Sequence, residues 1–499
     1  MSYTLQRHFR ALVAYVVLII ASLLPVSVAG APMLLPDDLA LRSDIQLLAD
    51  AGLLSGPVSA WPISVAALHN EMRRVSVPAD YRSGIRAAWY RVWQRVSSRA
   101  RLKLKLSAID EPVSVRRFTA TPRGTGANAT VDLGSDVLHL QLSTTLQERN
   151  SDDRRQARLD GSYAAVRAGK WQLAIGQIPR WWGPGYESSI ILSTNARPVP
   201  AISLDTVEPL RFQSPWLKWL GPMQWSFFAG ELESARKIPG ARFLGARLSL
   251  RPSRKLELGF SRTAQWGGAG RPQDLSSLLD LILGRDNLGD AGITADNEPG
   301  NQLGGIDLRY LSPIGDAPYA VYTQFIGEDE AGGLPSRLTG MAGAEFWRGL
   351  AQGNLRIYGE IANTTTEFYK SNPRKNTAYE HGIYNTGYRY RGRTIGHAMD
   401  NDGLMLSLGG VWHDQGSSWE GVLRRIEVNT DGRLGGRFHP VSVQAEDRWE
   451  IWLATTRPFM KGKLHVGFGS QYINPVQTAT EIDSSLYFSW ERAWYPAGR

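Results

Sequence analysis

A two-residue alternation of apolar and polar side chains extends over most of this 499-residue chain. Successive side chains of a β-strand point to opposite faces, so this period predicts strands with one apolar and one polar face. The alternation recurs between Arg101 and Trp494, in segments 101–106, 138–143, 244–251, 256–260, 355–361, 449–453, 464–468 and 486–490. So many strands exceed what one soluble sandwich holds and favour a closed sheet without free edges.

Aromatic residues at the ends of these segments favour a barrel that spans a membrane. They are typical of aromatic girdles at the membrane surfaces, and the residues concerned are Trp171, Trp225, Trp412, Trp419, Trp449, Trp490 and Trp494. An amphipathic aromatic strand at 485–490 lies close to the C-terminus. At roughly 20 to 22 residues per strand and turn, about 395 residues give about 18 strands. We therefore predict an all-β fold, a large antiparallel transmembrane β-barrel over residues 100–499. Its lumen holds water unless it is plugged.

The N-terminus predicts export. Arg7 and Arg10 precede an apolar run at 11–24, and small residues follow at 26–29, which is the layout of a signal peptide over residues 1–29. The run is shorter than the roughly 20 apolar residues of a spanning helix, so we expect cleavage after Sec-dependent export. The chain has no cysteine, which suits passage through an oxidising periplasm. Together with the barrel, this predicts the outer membrane of a Gram-negative bacterium.

Residues 30–99 show the period of helices instead. Asp37 and Asp38 are candidate N-caps of a first helix, and a second helix begins near Ser64. A third helix has an apolar stripe at 85, 88, 89, 92, 93 and 96, opposite a face of arginines. We expect a small α-helical bundle on the periplasmic side. Packing of the third helix on its neighbours is favoured over DNA recognition because the protein is exported, and no nucleic acid is expected as a partner.

The stretch Gly176–Pro222 interrupts the alternation with prolines and aromatic residues. The prolines exclude a regular ladder, and the aromatic rings are too apolar to remain in a floppy loop. Trp181, Trp182 and Tyr186 offer flat faces on which sugar rings could stack, and Arg197 is a hydrogen-bonding neighbour. The alternative is a constriction folded into the lumen whose aromatic residues pack on each other, and it is favoured for the two tryptophans.

A later interruption, residues 379–403, concentrates aromatic and cationic side chains. Guanidinium groups pair bidentately with carboxylates or phosphates, and aromatic rings stack on sugars. This segment is therefore the best candidate for contact with an acidic polysaccharide, through Tyr388, Arg389, Tyr390, Arg391, Arg393, His397 and Asp400. A lumen wall held by internal salt bridges explains the same residues equally well.

No constellation of catalytic residues stands out. The histidines are scattered without an HExxH motif, and the chain has no GxSxG elbow, Walker loop or dinucleotide fingerprint. His413, Asp414 and Ser417 only weakly resemble a hydrolytic set, and a polar turn is the favoured interpretation. An Asp-rich loop near 280–302 lacks EF-hand spacing, so a solvated loop is favoured over a calcium site. We expect no enzymatic activity, no cofactor and no metal.

Several long motifs, in order, resemble those of the Wzi-type outer-membrane capsule-assembly family. They are QIPRWWGPGYESSIILSTNARPVP, PWLKWLGP, EPGNQLGGIDLRY and YRYRGRTIGHAMDNDG. The resemblance covers nearly all of the mature chain and implies an outer-membrane β-barrel with a small helical bundle on the periplasmic side. It further implies a lectin-like role in retaining capsular polysaccharide at the cell surface. The family has no agreed catalytic set, so only the two motif regions within 176–222 and 379–403 are carried over as candidate sites.

Two functions are compatible with these features. The first is a non-enzymatic barrel that binds and anchors exported capsular polysaccharide or exopolysaccharide, and the net charge of +9 favours an acidic polymer. The alternative is a porin or diffusion channel for small anionic solutes or sugars, which the barrel size indicates. Other expected partners are outer-membrane lipid, lipopolysaccharide and the barrel assembly machinery, and the expected state is a monomer.

Overall fold

The computed structural model describes most of the chain beyond the predicted signal peptide. The described residues are 32–75, 83–98, 102–109, 115–118, 124–135, 137–147, 156–284, 294, 298, 300–315, 317–331, 334–350, 353–414, 416–432 and 439–495. The predicted signal peptide, residues 1–29, and most of the polar loop near 280–302 lie outside the described residues.

A closed antiparallel barrel of 18 strands forms the bulk of the structure, which confirms the predicted fold class. The strands are β1 (Leu102–Ile109), β2 (Gly126–Gly134), β3 (Leu138–Gln147), β4 (Gln156–Arg158 and Tyr163–Ala168), β5 (Trp171–Gly176), β6 (Ala201–Thr206), β7 (Met223–Glu231), β8 (Arg242–Ser253), β9 (Leu256–Trp266), β10 (Gly300–Leu311), β11 (Tyr319–Ala331), β12 (Leu334–Leu350), β13 (Gly353–Asn363), β14 (Gly403–His413), β15 (Ser418–Val428), β16 (Glu446–Phe459), β17 (Gly462–Pro475) and β18 (Glu481–Trp494). Both parts of β4 pair with β3. Trp494 of β18 lies opposite Leu102 of β1, and this pairing closes the sheet.

The wall turns its apolar face outward and its polar face inward. Leu173 and Ile175 of β5 are 54% and 58% exposed on the outside. Arg247 of β8, Gln265 of β9 and Gln324 of β11 are almost fully buried on the inside. This reverses the arrangement of a soluble protein and suits an exterior that faces lipid. Among the described residues, no helix is long and apolar enough to cross a bilayer.

The two ends of the barrel differ in their connections. At the short-turn end, brief connections such as 254–255 and 460–461 join the strands, beside one longer connection at 207–222. At the long-loop end, the connections include 177–200, 267–299 and 364–402. Apart from Trp449, the tryptophans predicted to form a girdle lie near strand termini at the short-turn end: Trp171, Trp225, Trp412, Trp419, Trp490 and Trp494.

Four helices accompany the barrel in the described part of the chain: α1 (Leu39–Asp50), α2 (Val65–Arg74), α3 (Ser83–Ser97) and α4 (Leu275–Leu283). Asp38 and Ser64 cap α1 and α2, since their side chains accept hydrogen bonds from backbone N–H groups in the first turn. Asp38 was one of the two predicted N-cap candidates, and the second helix begins next to Ser64, as predicted. The nine-residue α4 was not, because so short an apolar run does not distinguish a helix from a strand.

The first three helices pack into the short-turn end of the barrel. One apolar cluster joins residues of the helices to residues of the wall, and it includes Leu48, Leu68, Val92, Leu311, Ala320 and Trp347. Arg309 of β10 reaches both carboxylate oxygens of Asp50 in α1, at 2.7 and 2.9 Å. Arg309 also donates to Glu345 of β12 at 2.6 Å. The helices are therefore fixed to the wall by apolar packing and by a buried network of charges.

Substitution of Asp50 by alanine tests this network. Asp50→Ala leaves Arg309 buried with one carboxylate instead of two, so we expect the free energy of unfolding to fall by about 3 kcal/mol. Urea unfolding of the detergent-solubilised protein measures this change. The control is Asp447→Ala, which breaks the exposed pair with Arg425 and is expected to cost about 0 to 1 kcal/mol. Equal effects of the two substitutions would contradict a fixing role of the Asp50 network.

Candidate functional site

Two long connections from the long-loop end fold into the lumen. We call residues 177–200 loop A and residues 364–402 loop B. The hydroxyl groups of Tyr379 and Tyr388 in loop B donate to the carbonyl oxygens of Ile190 and Ile191 in loop A, at 2.7 and 2.9 Å. A Cβ at Gly396 would lie 2.3 Å from the Ile190 carbonyl oxygen, so the close approach of the two loops requires glycine there. The loops thus form one joined unit inside the barrel.

Buried charges fix loop A to the wall. The carboxylate of Glu187, which is fully buried, accepts from Arg424 of β15 at 2.6 Å and from the hydroxyl of Tyr358 of β13. The backbone N–H groups of Tyr186 and Glu187 donate to the carboxylate of Glu360 in β13, at 2.6 and 3.1 Å. Charge-assisted hydrogen bonds of this kind are stronger than neutral ones, and they give loop A one position in the lumen.

Helix α1 supports loop A from the short-turn end. Arg42 donates to the carbonyl oxygens of Pro184 and Gly185, at 2.6 and 2.8 Å. Its guanidinium also lies over the rings of Tyr186 and Phe118, at 4.4 and 4.5 Å from their centroids. Burial lowers the pKa of Arg42, and the surrounding acidic groups oppose this shift. Loop A is therefore held between the helices, loop B and the wall.

The aromatic candidates of loop A are buried in this packing. Trp181 and Trp182 are 0% and 1% exposed, and Tyr186 is 2% exposed. Trp181 pairs with Trp61 of the helical region, and Trp182 packs against Phe228 of the wall. The geometry gives these rings a structural role that agrees with the favoured interpretation of the two tryptophans. Their contact with a sugar stays a prediction.

Several candidates of loop B are buried in an ion-pair cluster. Arg389 donates to Asp400 at 2.8 Å and also pairs with Glu380. Burial acts to lower the pKa of Arg389, but these two carboxylates outweigh it and raise the pKa overall. His397 is 1% exposed, and burial lowers its pKa to about 3. Tyr388 is also buried, with its hydroxyl against Thr263 of the wall.

The remaining candidates approach solvent at the long-loop end. Arg389–Tyr390 and Arg393–Thr394 form a short hairpin whose tip residue, Arg391, is exposed. The Arg391 guanidinium lies 5.4 Å from the ring centroid of buried Tyr390. Arg393 is half-buried and donates to the side-chain oxygen of Asn195 in loop A. Arg197 makes a bidentate pair with Asp160, and its side chain remains 17% exposed.

A cavity of about 340 Å³ separates the joined loops from one side of the wall. Its wall side includes polar residues of β1, β2 and β3 together with Phe228 of β7 and Phe243 of β8, and its loop side includes residues 178–180, 192–194 and 196–199. Seven basic side chains line it, against three acidic ones. The basic residues are Arg95, Lys103, Lys105, Arg116, Arg117, Arg180 and Arg197, and the acidic residues are Asp37, Asp160 and Glu491.

Sequence reasoning selected only Arg197 among these basic residues. The others come from separate segments, and their convergence depends on the closure of the barrel. One signal was present: the Leu–Lys alternation in β1 places Lys103 and Lys105 together on the polar face.

His413, Asp414 and Ser417 do not form a hydrolytic set in the described residues. The imidazole Nε2 of His413 contacts Asp44 of α1 at 2.7 Å. Asp414 instead accepts from the backbone N–H groups of Gly416 and Ser417, at 2.9 and 2.8 Å. This is the polar turn that the sequence favoured. Within the described residues, no cluster of three potential metal ligands occurs.

Together, the apolar exterior, the closed antiparallel sheet and the filled lumen define an outer-membrane β-barrel of a Gram-negative bacterium. The model of the capsule assembly protein Wzi family matches residues 109–486. The chain therefore belongs to the Wzi family. Membership of a family of capsule assembly proteins supports the prediction that the chain is not an enzyme.

Two individual proteins show the same relationship. A 55.8 kDa protein of the cps region of Klebsiella pneumoniae is 33% identical over 354 residues, an alignment that covers 68% of this chain. The chain spans 66% of that relative's length. The solved structure of Escherichia coli Wzi, described as an outer-membrane, carbohydrate-binding β-barrel involved in group 1 capsule assembly, is 26% identical. It matches with a TM-score of 0.79 over 94% of this chain and 100% of the other.

The position of the joined loops predicts low conductance. We expect no large, steady current when the wild-type protein is inserted in planar bilayers. Arg424→Ala leaves Glu187 and Glu450 buried without their shared guanidinium, at a cost of about 3 to 5 kcal/mol. Loop A should then leave its position intermittently, and channel openings should appear in the recordings.

The neighbouring residue supplies the control for this experiment. Arg425 is 41% exposed and pairs with residues outside the lumen, so Arg425→Ala should remain silent. A steady wild-type current, or equal behaviour of the two variants, would contradict the role of Arg424.

The buried histidine of loop B predicts an acid-sensitive structure. The pKa of His397 is about 3 in the folded protein and about 6.5 in an unfolded chain, so below pH 6.5 the unfolded state binds the extra proton. The free energy of unfolding should therefore fall as the pH decreases from 6.5 toward 3, by up to about 1.4 kcal/mol per pH unit from this group. Urea unfolding at pH 7 and pH 5 measures the slope. His397→Gln should flatten it, and an unchanged slope would refute the assignment.

Proposed function

We propose that this protein binds exported capsular polysaccharide and holds it at the cell surface, without catalysing a reaction. In this proposal the long-loop end faces the outside and the short-turn end faces the periplasm, as is usual for outer-membrane barrels. Membership of the capsule assembly family supports the proposal. Similarity to Escherichia coli Wzi, which is described as carbohydrate-binding, supports it independently of our site geometry.

The observation that carries the proposal is a fixed cationic surface at the long-loop end. Arg391 is exposed at the tip of a short hairpin. Arg389, in the first strand of the same hairpin, is anchored by buried ion pairs. Arg393 is held against loop A by its contact with Asn195. A guanidinium that is already positioned loses less conformational entropy on binding than a free one, and it pairs bidentately with carboxylates. An acidic polymer fits such a surface.

The filled lumen favours holding over transport. Loops A and B contact β9, β11, β13 and β15 across the interior, for example through Thr263, Gln324, Glu360 and Arg424. A diffusion channel for sugars would need this space to be open. Contact with outer-membrane lipid and lipopolysaccharide follows from the barrel, and one chain forms a complete barrel, so we propose that it acts as a monomer.

Binding of surface polysaccharide from the host bacterium tests the proposal. Arg391→Ala removes an exposed guanidinium without breaking an anchoring pair, so we expect saturable binding that is weakened about 5-fold to 10-fold, as for loss of a charge-assisted contact. Calorimetry on the detergent-solubilised protein measures it. Arg389→Ala would be a poor choice, since it also leaves Asp400 and Glu380 without their buried partner.

A cation at the opposite end provides the matched control. Lys461 is exposed in the turn between β16 and β17, and Lys461→Ala should bind as the wild type does. Two results together would refute the proposed function. The wild-type protein would not bind the polysaccharide, and a deletion strain would keep its polysaccharide attached as the wild-type strain does.

A further inference from the structure

The cavity between the joined loops and β1 to β3 contains more basic side chains than acidic ones. Neither Lys103 nor Lys105 makes a hydrogen bond or an ion pair with another described residue. Arg180 of loop A is 7% exposed and donates only to the carbonyl oxygen of Ile178, at 3.1 Å, among the described residues. Its Nε has no partner there. Burial lowers the pKa of Arg180, and the nearby carboxylate of Asp205 opposes this shift.

Arg117 is a second buried guanidinium with an N–H group that lacks a hydrogen-bond partner among the described residues. Arg117 is 2% exposed and pairs with Glu420 through Nη2, but its Nη1 has no partner within the described part of the chain. Buried charges normally have hydrogen-bonding partners because removal of a charge from water is costly. Of the three acidic residues in the cavity, Asp160 is already paired with Arg197. Asp37 and Glu491 lie near Lys103, so seven basic side chains face three carboxylates and the cavity carries a net positive charge.

The uncharged surface of the cavity suits a sugar. Asn128, Thr130, Gln141 and Ser143 line the wall side and offer amide and hydroxyl groups to sugar hydroxyls. Cross-strand bonds hold them in place, such as the one from Asn128 Nδ2 to Ser143 Oγ at 2.9 Å. Phe228 and Phe243 of β7 and β8 also line the cavity, but they are 6% and 1% exposed and pack on each other and on Trp182 and Tyr388. The polar wall therefore supplies the contacts to a sugar.

A partly exposed ion pair lies at the long-loop side of the cavity. The side chains of Arg197 and Asp160 line the cavity and remain 17% and 20% exposed. Both lie close to the long-loop end, since residue 160 follows the first part of β4 and residue 197 precedes β6. A ligand that arrives from this end meets the pair first.

From this combination we propose that the cavity is an internal subsite of the polysaccharide-binding barrel. It binds an acidic sugar residue, which is a pyranose ring with a carboxylate. The proposal rests on the proposed function and names the sugar class that the site takes. The carboxylate pairs with Lys105 and Arg180, and the ring lies against the amide and hydroxyl groups of the polar wall. The size agrees with this ligand, because ligand pockets start at about 300 Å³ and the cavity measures about 340 Å³.

Calorimetric titration with digalacturonic acid tests the subsite. Maltose is the neutral counterpart, a disaccharide of the same ring size without carboxylates. We expect the detergent-solubilised wild-type protein to bind digalacturonic acid at least 10-fold more tightly than maltose, and less tightly at high salt. Equal binding of the two sugars, or no binding of either, would overturn the proposal without any variant.

Two substitutions place the ligand. Lys105→Gln and Arg180→Gln should each weaken binding of digalacturonic acid about 10-fold while maltose binding is unchanged. Lys461→Gln, at the short-turn end, should leave both unchanged. If one variant does not fold, the other still decides, and wild-type affinity in a folded variant would exclude that residue from the subsite.

The outcome is separable from that of the proposed function. In one outcome, host polysaccharide binds the wild-type protein, Arg391→Ala weakens that binding, and digalacturonic acid is not preferred over maltose. This result would leave the function intact and refute only the subsite. In the other outcome, digalacturonic acid binds in a way that depends on Lys105, but host polysaccharide does not bind. This result would support the subsite and refute the function.

Discussion

The structure depends on the need to satisfy polar side chains that the barrel turns inward. Lipid on the outside leaves the lumen as the only place for them. In an open barrel water would hydrate these groups, but here protein groups pair with many of them. Arg247 pairs with Asp307 along the wall, Arg309 pairs with a helix, and Arg424 pairs with loop A. The charged lumen is therefore also the surface on which the helices and loops dock.

Buried ion pairs of this kind contribute more to uniqueness than to stability. Their desolvation offsets much of the attraction between the charges, whereas a loop in any other position would leave a guanidinium or carboxylate unpaired. Glu187 illustrates this, because Arg424 and Tyr358 both depend on its position. We infer that the same network that fills the lumen also fixes the orientation of the hairpin at its mouth. A filled barrel and a rigid external surface are two results of one constraint.

The sequence predicted the barrel well because a period of two acts locally and repeats in every strand. It predicted the starts of the first two helices for the same reason, since Asp38 and Ser64 satisfy backbone groups only three residues away. It could not separate buried from exposed candidates in loop B. Arg389 and Arg391 are alike in type and close in sequence, yet one is anchored by Asp400 and the other reaches solvent. That difference arises because Arg389 lies in a strand of the hairpin beside Glu380 and Asp400 of loop B, whereas Arg391 lies in the turn.

The cavity shows the limit of local patterns most clearly. Its cations come from a helix, from β1, from residues 116–117 and from loop A, and closure of β18 on β1 brings β1 into the same space as loop A. The joined loops anchor on β9 to β15, and on the opposite side of the lumen polar groups of the wall bond to neighbouring strands, as Asn128 does to Ser143. If the joined loops filled the lumen evenly, loop A would need acidic groups on that side to pair with the cations of the wall. The chain instead places Arg180 and Arg197 there, which adds positive charge where the wall already carries Lys103 and Lys105. Repulsion between these cations destabilises an empty cavity, whereas a bound anion would offset it. The excess of positive charge on this one side of the joined loops is therefore the physical argument for a ligand.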